Sequence, residues 1–326
     1  MLRSSSKPLL GTALLTASAA AYSSAGFFTC LIPVDAWTLL FWRGLFGGTF
    51  LAAIVAWQLR GRLWRSIRAM GWEGAVVMVC SALATVCFLN AMRLTAVADV
   101  MVIDAAIPFV TAGLAWLILR ERESWHTLGA TIVAFAGMAL MAAPAVAEGR
   151  FLGDLLALGM AILMSLVIVL IRRKRGVNMV PAVCGSAFLC ALIVAPFASP
   201  ADVDAADIGL LALFGVSQFG MGLLLLAVGT PLVSATRGAL IGVLQTPLAT
   251  LWVWLAFAEQ PATATLVGGA IVLAAVVADM VAPHRPSAHA PPHPEEPRKA
   301  RRLEGWVPRM GSGPTLRDAR CARSSG

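Results

Sequence analysis

Residues 94–123 read LTAVADVMVIDAAIPFVTAGLAWLILRERE, and the reading of this stretch decides the fold. Between Leu94 and Leu119 only Asp99 and Asp104 are charged. A helix of that length, rising roughly 1.5 Å per residue, crosses a hydrocarbon core of roughly 30 Å. A near copy stands at 231–261, PLVSATRGALIGVLQTPLATLWVWLAFAEQP. A shift of 138 positions lays Trp116 on Trp254, Glu121 on Glu259 and Asp99 on Arg237, and leaves Pro108 one residue short of Pro247. Two long apolar helices, each with a mid-helix proline, a late tryptophan and a terminal glutamate, mark an internal repeat.

The rest of the chain has the same character. Of its 326 residues 59% are hydrophobic and 13% charged, about half the charge of a soluble protein, and the mean hydropathy is +0.82. The apolar residues fall in blocks of about 20, not in amphipathic stripes, which specifies an all-α polytopic integral membrane protein. The alternating segments of about ten residues that build a transmembrane barrel are absent. Ten blocks are expected as helices: 9–32, 36–59, 72–92, 94–119, 127–146, 152–171, 177–197, 207–228, 231–258 and 263–282. The first is longer than the roughly 7–15-residue core of a signal peptide and reads as an uncleaved helix. The six cysteines show no CxxC spacing, and Cys80, Cys87, Cys184 and Cys190 lie inside apolar blocks as small hydrophobes. No metal site and no cofactor are expected.

Basic residues orient the helices. Arg60, Arg62, Arg65 and Arg68 lie between the second and third blocks, Arg120 and Arg122 between the fourth and fifth, and the run 172–175 between the sixth and seventh. With Arg3 and Lys7 at the N-terminus, all fall on one side if there are ten helices. The opposite loops carry Arg93, Arg150 and the acidic Asp202, Asp204 and Asp207. Both termini are then cytoplasmic, in a multi-pass protein of the cell inner membrane. Five helices per half invert the second half (150–282) relative to the first (1–149), an architecture recurrent in secondary transporters. The segment 283–326, rich in Pro and Arg, cannot bury a core and is expected to be a disordered basic tail. Its histidines, His284, His289 and His293, are scattered rather than spaced for a metal. Its charge suits anionic headgroups, and nothing else in the chain points to nucleic acid.

Two segments carry a family resemblance: PFVTAGLAWLILRERESWHTLGATIVAFAGMAL at 108–140 and TPLATLWVWLAFAEQPATATLVGGAIVLAAVVA at 246–278. Each runs from proline through a Trp-bearing apolar stretch to Glu, then a short loop and a Gly-containing helix. FWRG at 41–44 joins them. The pattern resembles the EamA family of the drug/metabolite transporter superfamily over residues 9–282. The proline-to-glutamate spacing differs by one between the halves. The resemblance implies export or exchange of small metabolites, amino acids or drugs without ATP.

Charged groups within a bilayer cost about 3 kcal/mol or more, so they are the first candidates for a substrate pathway. With the fourth block centred near residue 106, Asp104 falls within about 4 Å of the midplane and Asp99 about 11 Å outward. Arg43 lies about 7 Å outward, at a depth to pair with either, while Arg237 lies about 11 Å inward and should not pair with Asp99. The alternative for Arg43 is a packing ion pair with one of the aspartates. Pro108 has no N–H, so the Asp104 carbonyl loses its helical partner, as does that of Val243 before Pro247; either proline also reads as a simple kink. Gln218 and Gln245 share the central depth, as pocket residues or as interhelical glue. Trp252 either lines the pathway or packs as other interfacial aromatics do. Glu121 and Glu259 read as loop contacts, and Gly44, Gly47 and Gly48 as points of close helix approach.

These residues point to a secondary transporter, an inner-membrane exporter of amino acids or similar small metabolites or drugs, with a small-molecule substrate and the lipid bilayer as its partners. A homodimer is left open. The competing classes are a membrane-embedded enzyme, which needs an acid/base or metal cluster that the His-free predicted helices do not offer, and a receptor or regulator, which the repeat disfavours. No phosphate-binding loop or hydrolase motif is present. The topology is directly testable. In a cysteine-free background, Arg65→Cys, Lys174→Cys and Ser324→Cys should be labelled only from the cytoplasmic side and Asp204→Cys only from outside; outside labelling of Lys174→Cys would contradict the inverted repeat.

Overall fold

The computed structural model describes residues 6–59, 61, 63–95, 97–121, 123–142, 151–257 and 262–281. The expected basic tail lies outside them, as does Glu259. All regular structure among the described residues is helical. In the first half α1 (Ser6–Ser23) and α2 (Ala25–Leu31) are parted only by Ser24, and α3 is Ala36–Leu59. Then come α4 (Leu63–Leu94), α5 (Val97–Ala105), α6 (Ile107–Leu114), a π-helical turn Ala115–Leu119 and α7 (Trp125–Ala142). The second half holds α8 (Phe151–Arg173), α9 (Val180–Val194), α10 (Ala205–Phe214), a π-helical segment Gly215–Gly220, α11 (Met221–Gly229), α12 (Ala235–Gly242), α13 (Gln245–Phe257) and α14 (Thr263–Val281). Eight stretches are long and apolar enough to cross a bilayer, and Trp125–Met141 is a shorter apolar helix.

Three expectations are corrected. The third helix starts before residue 72: residues 63–70 are helical and join the span through a kink at Gly71, whose φ of 61° only glycine adopts freely. His126, placed in a loop by the expected span 127–146, sits in the first turn of α7. The stretches 94–119 and 231–258 are not continuous helices. Each is broken near its middle, at Ala106 and at Val243–Leu244.

The packing repeats with the sequence. α3 packs on α9 and α7 on α14, so like elements of the two halves face each other, and the contact of α4 with α8 recurs as that of α11 with α1. Lipid tails are as apolar as leucine, so helices in a bilayer gain mainly from close backbone approach, and small residues permit it. A Cβ on Gly137 of α7 would meet the Gly268 carbonyl oxygen of α14 at 2.8 Å. One on Gly44 would meet the Ala187 carbonyl at 2.9 Å, and one on Gly47 that of Gly215 at 2.7 Å. The close-approach reading of these glycines in α3 therefore holds. Around them Leu51, Val77, Ile171 and Val183 form one fully buried centre, and Met138, Leu240, Ile241 and Val272 a second. Trp57, Leu117, Leu192 and Leu255 point outward, as a lipid-facing surface requires.

Gly268→Leu should lower the thermal unfolding midpoint of detergent-solubilised protein through overpacking of about 1–3 kcal/mol or more. Gly113→Leu, where a Cβ meets nothing within 4 Å, should leave it unchanged.

Candidate functional site

The two breaks are local consequences of sequence. Pro108 is the second residue of α6, a position where its missing N–H is harmless, so the chain starts a new helix there instead of continuing α5. Three-residue bonds tighten the junction: Ala106 N donates to Ile103 O and Phe109 N to Ala106 O, both at 3.0 Å. Before Pro247 the same device recurs, with Val243 N to Leu240 O at 3.2 Å and Leu244 N to Ile241 O at 3.1 Å. The Ser165 hydroxyl of α8 donates to the Ala161 carbonyl at 2.7 Å and lies 3.3 Å from that of Ile107.

α6 packs on α12, and the breaks bring two of the expected polar residues together. The Gln245 amide, first in α13, donates to Asp104 Oδ2 at 3.4 Å. The described span Asp99–Leu119 is centred at residue 109, not 106, which moves Asp104 to about 8 Å from the centre, toward the N-terminal end of its helix. Gln245 is at the middle of its own span, Ala235–Ala256. Thr111, fully buried in α6 with an unpartnered hydroxyl, was not anticipated. Its signal was present in the sequence: it follows Asp104 by seven residues, two turns along one face.

The other candidates go elsewhere. Gln218, in the π-helical segment and 2% exposed, donates to the Tyr22 carbonyl at 3.4 Å and leaves its own oxygen unpartnered. Trp252 donates its ring N–H to Ser23 Oγ at 2.9 Å. Asp99 accepts from Thr95 Oγ1 at 3.4 Å, and the same hydroxyl is 2.7 Å from Asp154 Oδ1. Arg43 pairs with neither aspartate. Its guanidinium carbon lies 4.4 Å from the Phe219 ring centroid and 5.9 Å from that of Phe214. The packing ion pair that sequence depth allowed is therefore not formed.

Arg237, as depth required, stays away from Asp99. It is 4% exposed and faces Asp279 of α14, 5% exposed, charge to charge at 3.1 Å from Nε to Oδ2, with an aligned hydrogen bond from Nη2 to the Asp279 carbonyl at 2.9 Å. The Thr127 hydroxyl of α7 completes the site at 2.8 Å. Sequence reasoning missed Asp279, although the same depth arithmetic finds it: it stands near the end of the last helix, level with the start of α12. A second polar group surrounds Glu121, which pairs with Arg172 at 3.3 Å; Arg172 also donates to the Pro231 carbonyl at 2.6 Å. Glu123 accepts from Ser234 at 3.1 Å, and burial pushes its carboxyl above the usual carboxylate range against those hydrogen bonds. Together these contacts tie the segment after the fourth predicted helix to α8 and to the start of α12.

A buried ion pair is costly to break from one side. Asp279→Asn removes the main counter-charge of Arg237 and leaves Glu123; it should destabilise by about 3–5 kcal/mol, whereas Asp279→Asn with Arg237→Met should recover much of the loss. Thermal unfolding of the two variants in one detergent makes the comparison.

The geometry has counterparts among known proteins. The model of the EamA-like transporter family matches residues 9–143 and again 151–278. Among curated proteins none matches this sequence. Solved structures of similar fold include a crystal structure with a TM-score of 0.68 over 84% of this chain and 97% of that chain at 17% identity.

Proposed function

We propose, for a chain that belongs to the EamA-like transporter family of the drug/metabolite transporter superfamily, that it is a ten-helix secondary transporter working by alternating access. Counting α1 with α2 as one crossing and α7 as another gives five crossings in each half, 1–149 and 150–282. An odd number inverts the second half and puts both termini in the cytoplasm. The proposed role is export of amino acids or similar small metabolites or drugs across the inner membrane, with no enzymatic step.

One observation carries the reading. Two helices broken at equivalent points of the repeat meet where Gln245 touches Asp104. Half-helix ends inside a bilayer present backbone donors and acceptors that a continuous helix hides, and transporters use such ends to hold solutes. Asp104 is the central polar residue in this account. Its carboxylate is the partner for a substrate ammonium. Gln245 keeps the carboxyl oriented. Pro108 and Pro247 keep the helices broken. Alternating access then requires the halves to rock about this level, which opens the contacts of Glu121 with Arg172 on one side.

Asp104→Asn retains size and hydrogen bonding to Gln245 while removing the charge. In proteoliposomes it should reduce transport by at least an order of magnitude, the usual cost of an essential charged contact, with normal yield of folded protein. Asp99→Asn, whose neighbours are Thr95 and Asp154, should keep most of the activity. Full transport by Asp104→Asn would remove Asp104 from the site, and equal loss of folded protein in both variants would make the two aspartates packing residues.

A further inference from the structure

Arg43 is a cation within a membrane-spanning helix for which the described residues provide no ion pair. It lies in the span Ala36–Leu59, about 7 Å from the centre toward the N-terminal end. Its backbone is held against the π-helical segment, since a Cβ on Gly215 would meet the Arg43 carbonyl at 3.0 Å. The ionisable groups within electrostatic reach of the guanidinium are Tyr22 and Cys190, neither an anion at neutral pH. Phe219 and Phe214 offer ring faces, which attract a cation but do not neutralise it. Nε is buried without a hydrogen-bond partner.

A second, independent feature faces the same place. The helix opposite Arg43 is wound as a π-helix over Gly215–Gly220, a rare form that is frequent at functional sites. It brings both Phe219 and Gln218 toward the first half. Gln218, all but fully buried, uses its amide N–H on the Tyr22 carbonyl and holds its oxygen unpartnered. A buried guanidinium nitrogen and a buried amide oxygen, both unused, are not left so in a packed interior without a reason. The region is also tied to the helix that carries Gln245: Ser23, next to Tyr22, takes the hydrogen bond of Trp252 in α13.

We propose that Arg43, backed by Phe219 and beside Tyr22, whose carbonyl Gln218 holds, is an anion-binding subsite that takes the carboxylate of the transported substrate. The guanidinium offers a planar fork of donors matched to a carboxylate, and in a desolvated setting such pairing is strong. The bound anion supplies the counter-charge that the protein does not. The Gln218 oxygen accepts an N–H of the same ligand. In the proposed topology the N-terminal ends of α3 and α5 face the same side, so Arg43 and Asp104 lie at nearly one level, about 7 and 8 Å from their span centres. The substrate then has opposite charges at its two poles. The inference rests on the transporter reading for what moves the ligand, but not for the binding itself.

The test is therefore binding as well as transport. Purified full-length protein is titrated with leucine, threonine and phenylalanine, each beside its carboxamide, and the shift in unfolding temperature gives the affinity. Wild-type protein should prefer at least one free acid over its amide by on the order of tenfold, the worth of one charge-assisted contact. Arg43→Gln should bind acid and amide alike. Arg43→Lys, which keeps the charge without the fork, should keep a smaller preference. A wild-type protein indifferent to the carboxylate overturns the subsite, and so does a folded Arg43→Gln that still prefers the acid. If Arg43→Gln does not fold, equal affinity of Arg43→Lys and wild type for the acid overturns it instead. Carboxylate-dependent binding without counterflow would leave the subsite standing and bring down the transporter reading.

Discussion

Hydrocarbon offers no hydrogen bond, and that single constraint accounts for most of this molecule. A backbone carbonyl or a charged side chain that finds no partner in the protein finds none in lipid either. Regular helices meet the backbone demand, and the two mid-span breaks keep it met. The break at Ala106 is closed by three-residue bonds, and the break at Val243–Leu244 by the same kind of bonds. Arg237 lies against Asp279 with Thr127 at its side. Glu73 of α4, 4% exposed, takes Lys174 at 2.8 Å and Arg173 at 3.4 Å.

Against that background the uncompensated groups become informative. Arg43 Nε, the Gln218 oxygen and the Thr111 hydroxyl are buried without a partner, as are others among the described residues such as Trp42 Nε1 and Arg172 Nε. The first two lie where α3 meets the π-helical segment, and Thr111 lies on the broken fourth helix. A protein that only needed to fold would replace them with apolar residues of similar size, often gaining stability. Their retention is a physical argument for a solute that supplies the missing partners for part of a cycle.

How much of this was readable in advance differs by level. The membrane class, the two halves and the family pattern were legible, because apolar blocks and the Pro-to-Glu stretches are long, redundant signals. Counting residues placed Asp104 nearer the midplane than its span Asp99–Leu119 does, yet the contact of Gln245 with Asp104 forms. What counting does not give is azimuth. Arg43 and Asp99 share a region of depth yet face different neighbours, so the expected pair is not formed. The kink at Gly71 was hidden because arginines 65 and 68, read as loop charges, lie on a helix that continues into the span. The π-helical winding that aims Gln218 at Tyr22 has no sequence signature. Asp279 was readable and overlooked: the charges near helix ends were judged one by one instead of being matched across helices at one level.

In the proposed mechanism a solute crosses by alternating access through a site at the two helix breaks, without ATP. Counterflow measures this directly. Purified protein in liposomes loaded with an unlabelled amino acid at high concentration is presented with a trace of the labelled compound outside, with neither ATP nor an ion gradient. The account predicts that label accumulates transiently inside above its outside concentration for at least one member of an amino-acid and small-metabolite panel. Correctly folded protein that gives no accumulation above empty liposomes for any member would contradict it.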